Sequence, residues 1–194
     1  MRKYFWPLII FIKLVSNRFK FFKKILLFFG FYNPGPRGKN LFSRHIETFN
    51  KYHNLGKKYK ENIESICEFG PGESNYAFLA ALKSKIKFYE SVDVKECKNL
   101  YQKVSEKEIE KIGIKKNRIN SDNLINQNYK YHDKGLESLK TLKDYKFDLI
   151  FSHSVFQHVK KYEVNEIISN LARISKKDSI HIHYIDLRDC FSGS

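Results

Sequence analysis

Apolar residues recur along this chain in two rhythms. Short apolar runs at 65–69, 88–93, 129–132, 147–151 and 179–185 read as strands. A parallel strand buried on both faces shows no alternation, and these runs show little. Between them the pattern turns helical. Residues 75–82 follow a glycine turn, residues 97–118 are charged and helical in period, and 155–159 open a helix after the fourth strand. Residues 163–175 put Val164, Ile167, Ile168, Leu171 and Ile174 on one side of a helix, and Lys176-Lys177-Asp178 reads as the turn into the fifth strand. Residues 41–52 predict a helix ahead of the first strand. Upstream, Lys13, Ser16, Asn17, Lys20 and Lys24 fall on one helical face, with Leu14, Val15, Phe22, Ile25, Leu26 and Phe29 on the other. Asn33-Pro34-Gly35-Pro36-Arg37-Gly38 breaks that pattern. The chain thus divides into a basic amphipathic arm at 1–33, a linker at 34–40 and an α/β domain at 41–194.

The segment with the most chemistry is ICEFGPGESNYAFLAALKSKIKFYESVDV, residues 66–94. It reads as strand, glycine turn, helix and second strand with a carboxylate near its end. That unit suits an adenosine-bearing cofactor across the carboxyl edge of a parallel sheet. Gly70 and Gly72 allow a tight turn and close approach of a ligand to the backbone. Backbone N–H groups at the start of the next helix are expected to face that ligand. Asp93, 21 residues after Gly72, can accept from both hydroxyls of a ribose. Glu68, just before the turn, can accept from a ligand ammonium. Asn75 stands where the dinucleotide fingerprint has its third glycine. An NAD-linked dehydrogenase is therefore a weak alternative.

These residues resemble the class I S-adenosylmethionine-dependent methyltransferases. The resemblance rests on EFGPGES at 68–74, SVDV at 91–94 and FDLIFSHSVFQHV at 147–159, in that order and spacing. The G-P-G-x-S turn and the IDLRD ending at 185–189 are similar to one bacterial branch of that family. The resemblance implies a Rossmann-like parallel sheet with helices on both faces and S-adenosyl-L-methionine as cofactor. It implies that Glu68, Gly70, Gly72, Asp93, Val94, Asp133 and Ser152 bind the cofactor, and that Phe42, His45 and Phe49 of the leading helix can cover it. For catalysis or acceptor orientation it leaves His153, His183, Asp186 and Asp189. His158 is more often an orienting residue in this pattern. Five strands can be placed, whereas the family sheet has seven, so the domain is expected to be truncated at its C-terminal end. Cys190 stands where the branch commonly has histidine.

Charge adds a second theme. The 194 residues carry 36 Lys and Arg against 21 Asp and Glu, and nine of the basic residues lie in the first 40, which hold no acid. Residues 4–31 contain no run of 18 apolar residues, which argues against a spanning helix, and Lys13 interrupts the core of any secretory signal. The arm either lies in a membrane interface with its lysines near anionic headgroups or packs its apolar face on protein. Cys67, Cys97 and Cys190 show no C-x-x-C spacing, so neither a disulfide framework nor a metal site is expected. A cytoplasmic protein follows, with the arm able to bring it to the inner membrane face.

The sequence lacks the [DNS]-P-P-[FY] motif of nucleic-acid amino methyltransferases and the Pro-Cys pair of the cytosine type. An oxygen of a small-molecule, lipid or cell-envelope glycan acceptor is favoured, and nucleic acid is disfavoured as a partner. Two alternatives stand beside this. One is RNA binding or RNA modification, motivated by the net charge of +15. The other is a non-catalytic, membrane-associated methyltransferase remnant, motivated by the missing strands.

Overall fold

The first apolar run forms β1, Ser65–Phe69, with all five residues buried. The runs that follow form β2, Phe88–Val92, β3, Tyr129–His132, β4, Phe147–His153, and β5, Ser175–Tyr184. Every pairing is parallel, in the order β3-β2-β1-β4-β5. The order reverses beside β1, so the crevice outside the carboxyl ends of β1 and β4 is where such a sheet binds ligands. The computed structural model describes residues 41–97, 106–114 and 128–187. All of these except Leu41 belong to one unit, Phe42–Leu187. The arm, the linker, Asp189 and Cys190 lie outside the described residues.

Helices cover both faces, as the pattern predicts. On one face α1, Leu41–Lys57, lays Phe49 and Tyr52 against Tyr89 and Phe151. Beside it α2, Ala77–Lys83, packs Phe78 on Tyr129. On the other face α4, Leu136–Thr141, and α5, Val164–Ile174, cover Cys67, Phe69, Val92, Phe147 and Ile150 through Leu139, Ile167, Leu171 and Ile174. The short α3 spans Glu106–Lys111, and the rest of the charged stretch predicted as helical is largely outside the described residues. Helix α1 runs against the strands. Phe42 and His45 meet Tyr76 beyond the carboxyl end of β1, while Gly56 meets Ile63 and Leu149. Its first half therefore overlooks the ligand edge. Among the described residues no helix is long and apolar enough to cross a membrane.

Two segments differ from the sequence expectation. Residues 155–159 do not begin an α-helix but make one 3-10 turn, Phe156–His158, after which Val159 is extended. Val155, Phe156 and Val159 all pack on the apolar cluster under α4 and α5. Lys176-Lys177-Asp178 is not a turn either. Helix α5 passes directly into β5 at Ser175, and the polar residues sit inside the strand as a register irregularity. Ion pairs replace the missing apolar contacts. Lys176 Nζ lies 2.9 Å from Asp148 Oδ2, and Lys60 Nζ is 3.0 Å from Asp148 Oδ1 and 2.6 Å from Asp178 Oδ2. Asp148 also accepts from the Ser65 hydroxyl and the backbone N–H groups of Glu64 and Ser65. This network holds its carboxyl well below the usual carboxylate range, against the opposing effect of burial.

Candidate active site

The glycine turn leaves β1 with Gly70 at φ +78° and Gly72 at φ +81°, both left-handed. The two serve different ends. A Cβ on Gly70 would stand 2.3 Å from Val155 Cγ2, so this glycine lets the β4 turn pack against the β1 turn. Among the described residues a Cβ on Gly72 would meet nothing within 4 Å. Gly72 is thus the glycine that borders open space where a ligand can approach.

The peptide of Gly72 is held from both sides. Its N–H donates to Asp93 Oδ2 at 2.8 Å, and Asp93 Oδ1 accepts from Lys95 N at 3.1 Å. Its carbonyl lies 2.5 Å from the Tyr131 hydroxyl, which is also 3.0 Å from the carbonyl of Lys95. One carboxylate thus bridges two N–H groups, while one phenol on β3 serves the matching two carbonyls. The Gly72 N–H is thus taken by Asp93. A carboxylate has about four acceptor positions, so Asp93 keeps capacity for ribose hydroxyls. Burial, with Asp93 adding to it, holds the Tyr131 phenol well above its usual range. Tyr131 therefore stays a donor.

Glu68 is 5% exposed and accepts from the Tyr89 hydroxyl. Burial pushes its carboxyl up to about 7; the Tyr89 hydrogen bond opposes this, and Asp93 adds to it. Asp133 follows β3 at the surface, and Val94, 77% exposed, lies beside Asp93. Gly70, Gly72, Glu68, Asp93, Val94 and Asp133 therefore all lie along the carboxyl edge of β1, β2 and β3.

A second group gathers at the tips of β4 and β5, under α1. His153 Nδ1 is 2.6 Å from the Tyr52 hydroxyl. Its ring stacks on Tyr184 with centroids 4.9 Å apart and planes 14° from parallel. Lys51 Nζ stands 5.8 Å from the Tyr52 ring centre and 5.7 Å from that of Tyr184. Burial pushes the Tyr52 phenol up to about 12, with Tyr184 and Glu68 adding to the shift. Tyr52 therefore keeps its proton, and since His153 is its one hydrogen-bond partner among the described residues we assign that proton to Nδ1. The neutral imidazole then carries its own proton on Nε2. Burial, then Lys51 and Arg44, lower the His153 pKa, and Asp186 opposes them. Directly after β4, Ser154 is left-handed at φ +58°, and its N–H donates to the Tyr184 carbonyl at 2.9 Å. A strained non-glycine turn of this kind is common at functional edges. His45 joins the glycine turn to α1, its Nε2 3.1 Å from the Ser74 hydroxyl. Burial first, then Arg44 and His153, push its pKa down to about 4.

The structure does not bring all the candidates together. Ser152 and His183 face the opposite side of the sheet from His153, with 2.8 Å between Ser152 Oγ and His183 Nδ1. Ser152 is fully buried, and the His183 ring meets Phe156 edge-on at 5.0 Å. Burial, with His181 adding, pushes His183 down to about 4. This pair braces β4 against β5. Asp186 follows β5, with its N–H 3.4 Å from Gln157 Oε1. Phe49, expected to cover a ligand, is fully buried against Tyr89, Phe151 and His53. Tyr131 and Tyr52 were not singled out in sequence. Tyr131 carries a signal after the fact, as the one tyrosine two residues before Asp133. Tyr52 carries none, because it meets His153 across 101 residues.

Residues 68–183 match the family model described as Methyltransferase domain. No curated protein matches the chain. Among solved structures it is similar to a SAM dependent methyltransferase from Archaeoglobus fulgidus, at 15% identity and a TM-score of 0.44, over 71% of this chain and 51% of that one. It is also similar to a protein from Methanococcus maripaludis described as an S-adenosyl-L-methionine-dependent methyltransferase, at 15% identity and a TM-score of 0.47, over 73% and 56%. The chain thus spans about half the length of the solved structures it matches.

Proposed function

Because the chain belongs to the methyltransferase-domain family, whose model covers residues 68–183, we propose that it transfers a methyl group from S-adenosyl-L-methionine to an oxygen of a small-molecule, lipid or cell-envelope glycan acceptor. The observation that carries this reading is the open space at Gly72, whose N–H is held by Asp93. That space fits the cofactor: a Cβ would project into it, and the Asp93 carboxylate borders it. Asp93 would hold the ribose hydroxyls, Glu68 the ammonium and Asp133 the adenine amino group. When bound, S-adenosyl-L-methionine supplies an electrophilic methyl group on a sulfonium that already carries its leaving group.

The chain's own work is then alignment, exclusion of water and removal of one proton. Tyr131 and Asp93 fix the Gly72 peptide so that the turn presents one geometry. His153, fixed by Tyr52 and stacked on Tyr184, presents Nε2–H toward an acceptor and is an orienting donor. With Nδ1 accepting and Nε2 protonated, the imidazole has no free lone pair for base catalysis. Asp186, placed beside it, is the group assigned to take a hydroxyl proton. The basic, aromatic arm at 4–31 supports an acceptor presented at the cytoplasmic face of a membrane.

The test is methyl transfer from labelled S-adenosyl-L-methionine to extracts separated into polar small molecules, lipids, glycans and RNA. Label in one of the first three fractions supports the reading. Label in RNA alone, or none from protein that binds S-adenosylhomocysteine, would replace it with the RNA or the remnant reading.

A further inference from the structure

We propose that the tips of β4 and β5 bind an anionic group of the acceptor, a carboxylate or a phosphate, on His153 Nε2–H between Lys51 and Arg44. The proposal uses the methyl-transfer reading only to say which molecule carries the anion. Its basis is geometric. Tyr52 Oη, 2.6 Å from His153 Nδ1, has no other partner among the described residues, so its proton goes to Nδ1 and Nε2 carries N–H. No described residue takes up that Nε2–H, although His153 is exposed. The ring is held on two sides, by Tyr52 at Nδ1 and by Tyr184 stacked on it at 4.9 Å. A fixed outward donor calls for an acceptor from a ligand.

Its surroundings choose the charge. Arg44 and Lys51 lie seven residues apart on α1, two helical turns, and so share a face. Neither forms a salt bridge among the described residues, and Lys51 Nζ reaches within 6 Å of both aromatic rings. Asp186 is the opposing charge beside the imidazole, and His45 faces it from α1. Among the described residues two cations and a fixed N–H stand against one carboxylate at His153, which favours an anion and disfavours a cationic acceptor. Tyr184, 40% exposed, with Ile185 at 45% and Leu187 at 89%, adds an apolar rim for the rest of the molecule.

The experiment follows the His153 side chain by proton–nitrogen NMR in the full chain, its resonance identified by its loss in His153→Gln. Inorganic phosphate and acetate are titrated at constant ionic strength with chloride as reference. Phosphatidylglycerol and phosphatidylcholine vesicles are added in separate arms. The proposal expects a saturable shift of Nε2–H with phosphate or acetate, weakened about fivefold in an Arg44→Gln/Lys51→Gln variant. Cofactor-site affinity in that variant, read by S-adenosylhomocysteine calorimetry, stays within about twofold. Saturation by phosphatidylglycerol vesicles at lower phosphate concentration than the free ion assigns the anion to a lipid headgroup; the reverse assigns it to a soluble acceptor. A shift no larger than with chloride, or one unchanged in the double variant, overturns the proposal. Failure of S-adenosylhomocysteine to bind would count against the methyl-transfer reading alone and leaves the anion titration intact.

Discussion

Asp93 holds Gly72 from 21 residues away, its Oδ2 accepting the Gly72 N–H at 2.8 Å. The same carboxylate is the proposed ribose ligand, so turn geometry and ligand recognition meet in one side chain. Asp93→Ala removes a charged acceptor worth about 1.5–3 kcal/mol. We expect about a ten- to hundredfold loss of S-adenosylhomocysteine affinity by calorimetry, with faster hydrogen exchange at the Gly72 amide. Unchanged affinity with faster exchange would confine Asp93 to shaping the turn.

The two glycines should fail in different ways. Gly70→Ala places a methyl 2.3 Å from Val155 Cγ2 on a left-handed backbone, so the fold itself should weaken, and Val155→Ala should partly restore it. Gly72→Ala meets no atom of the described residues within 4 Å. It should cost only the backbone strain, about 1–2 kcal/mol, yet lose cofactor binding. Urea unfolding beside calorimetry separates the two outcomes.

Tyr131→Phe removes the donor to the carbonyls of Gly72 and Lys95. A neutral hydrogen bond contributes about 1 kcal/mol, so stability should fall by about that much. Cofactor KM should rise several-fold while kcat stays near the original. A fall in kcat alone would contradict a positioning role.

Acid titration carries two opposite signs. Glu68 has its pKa raised to about 7, so its contribution to stability is present below the unfolded value of 4.5 and is lost as pH rises through about 7. Its ionised form is the one that accepts from an ammonium, so S-adenosylhomocysteine affinity should fall as pH drops below 7, by up to about tenfold per pH unit. Glu68→Gln should flatten that dependence. His45 and His183, both lowered to about 4, stabilise the fold above 6.5 and lose that contribution as pH falls toward 4. Each contributes up to about 1.4 kcal/mol per pH unit. Unfolding midpoints at pH 7 and pH 4.5 test the balance, and the two histidines should outweigh the single glutamate.

At the other end of the sheet, Asp148 serves the fold and not the reaction. It is buried, with Lys60, Lys176, Ser65 and two backbone N–H groups around it. Asp148→Ala leaves two lysines facing a pocket without their counter-charge, a change that typically costs about 3–5 kcal/mol. Cofactor affinity of the folded fraction should be unaltered.

Much of the fold was legible because parallel strands announce themselves. The runs at 65–69 and 129–132 match β1 and β3 at both ends, those at 88–93 and 147–151 match β2 and β4 at their starts, and the run at 179–185 overlaps only the later part of β5. The start of β5 was hidden because Ser175-Lys176-Lys177-Asp178 has turn composition, and it takes Asp148 on the neighbouring strand to explain Lys176 inside a sheet. The 3-10 turn at Phe156–His158 was hidden because the apolar residues Val155, Phe156 and Val159, which pack together on one cluster, have the same spacing as one face of an α-helix. In the site, Glu68, Gly72 and Asp93 follow from spacing along one βαβ unit. The pairing of His153 with Tyr52 does not, since it depends on α1 lying antiparallel over β4. Nor does the separation of His153 from His183, which follows from the parity of Ser152 and His153 on one strand.

The most direct test of the cofactor site is calorimetric binding of S-adenosylhomocysteine to the full chain, with Gly72→Ala and Asp93→Ala as variants and NAD as the control ligand. Saturable binding that is lost in both variants and absent with NAD is the predicted result. A folded chain that binds neither ligand, or binds S-adenosylhomocysteine equally well in both variants, would contradict the account.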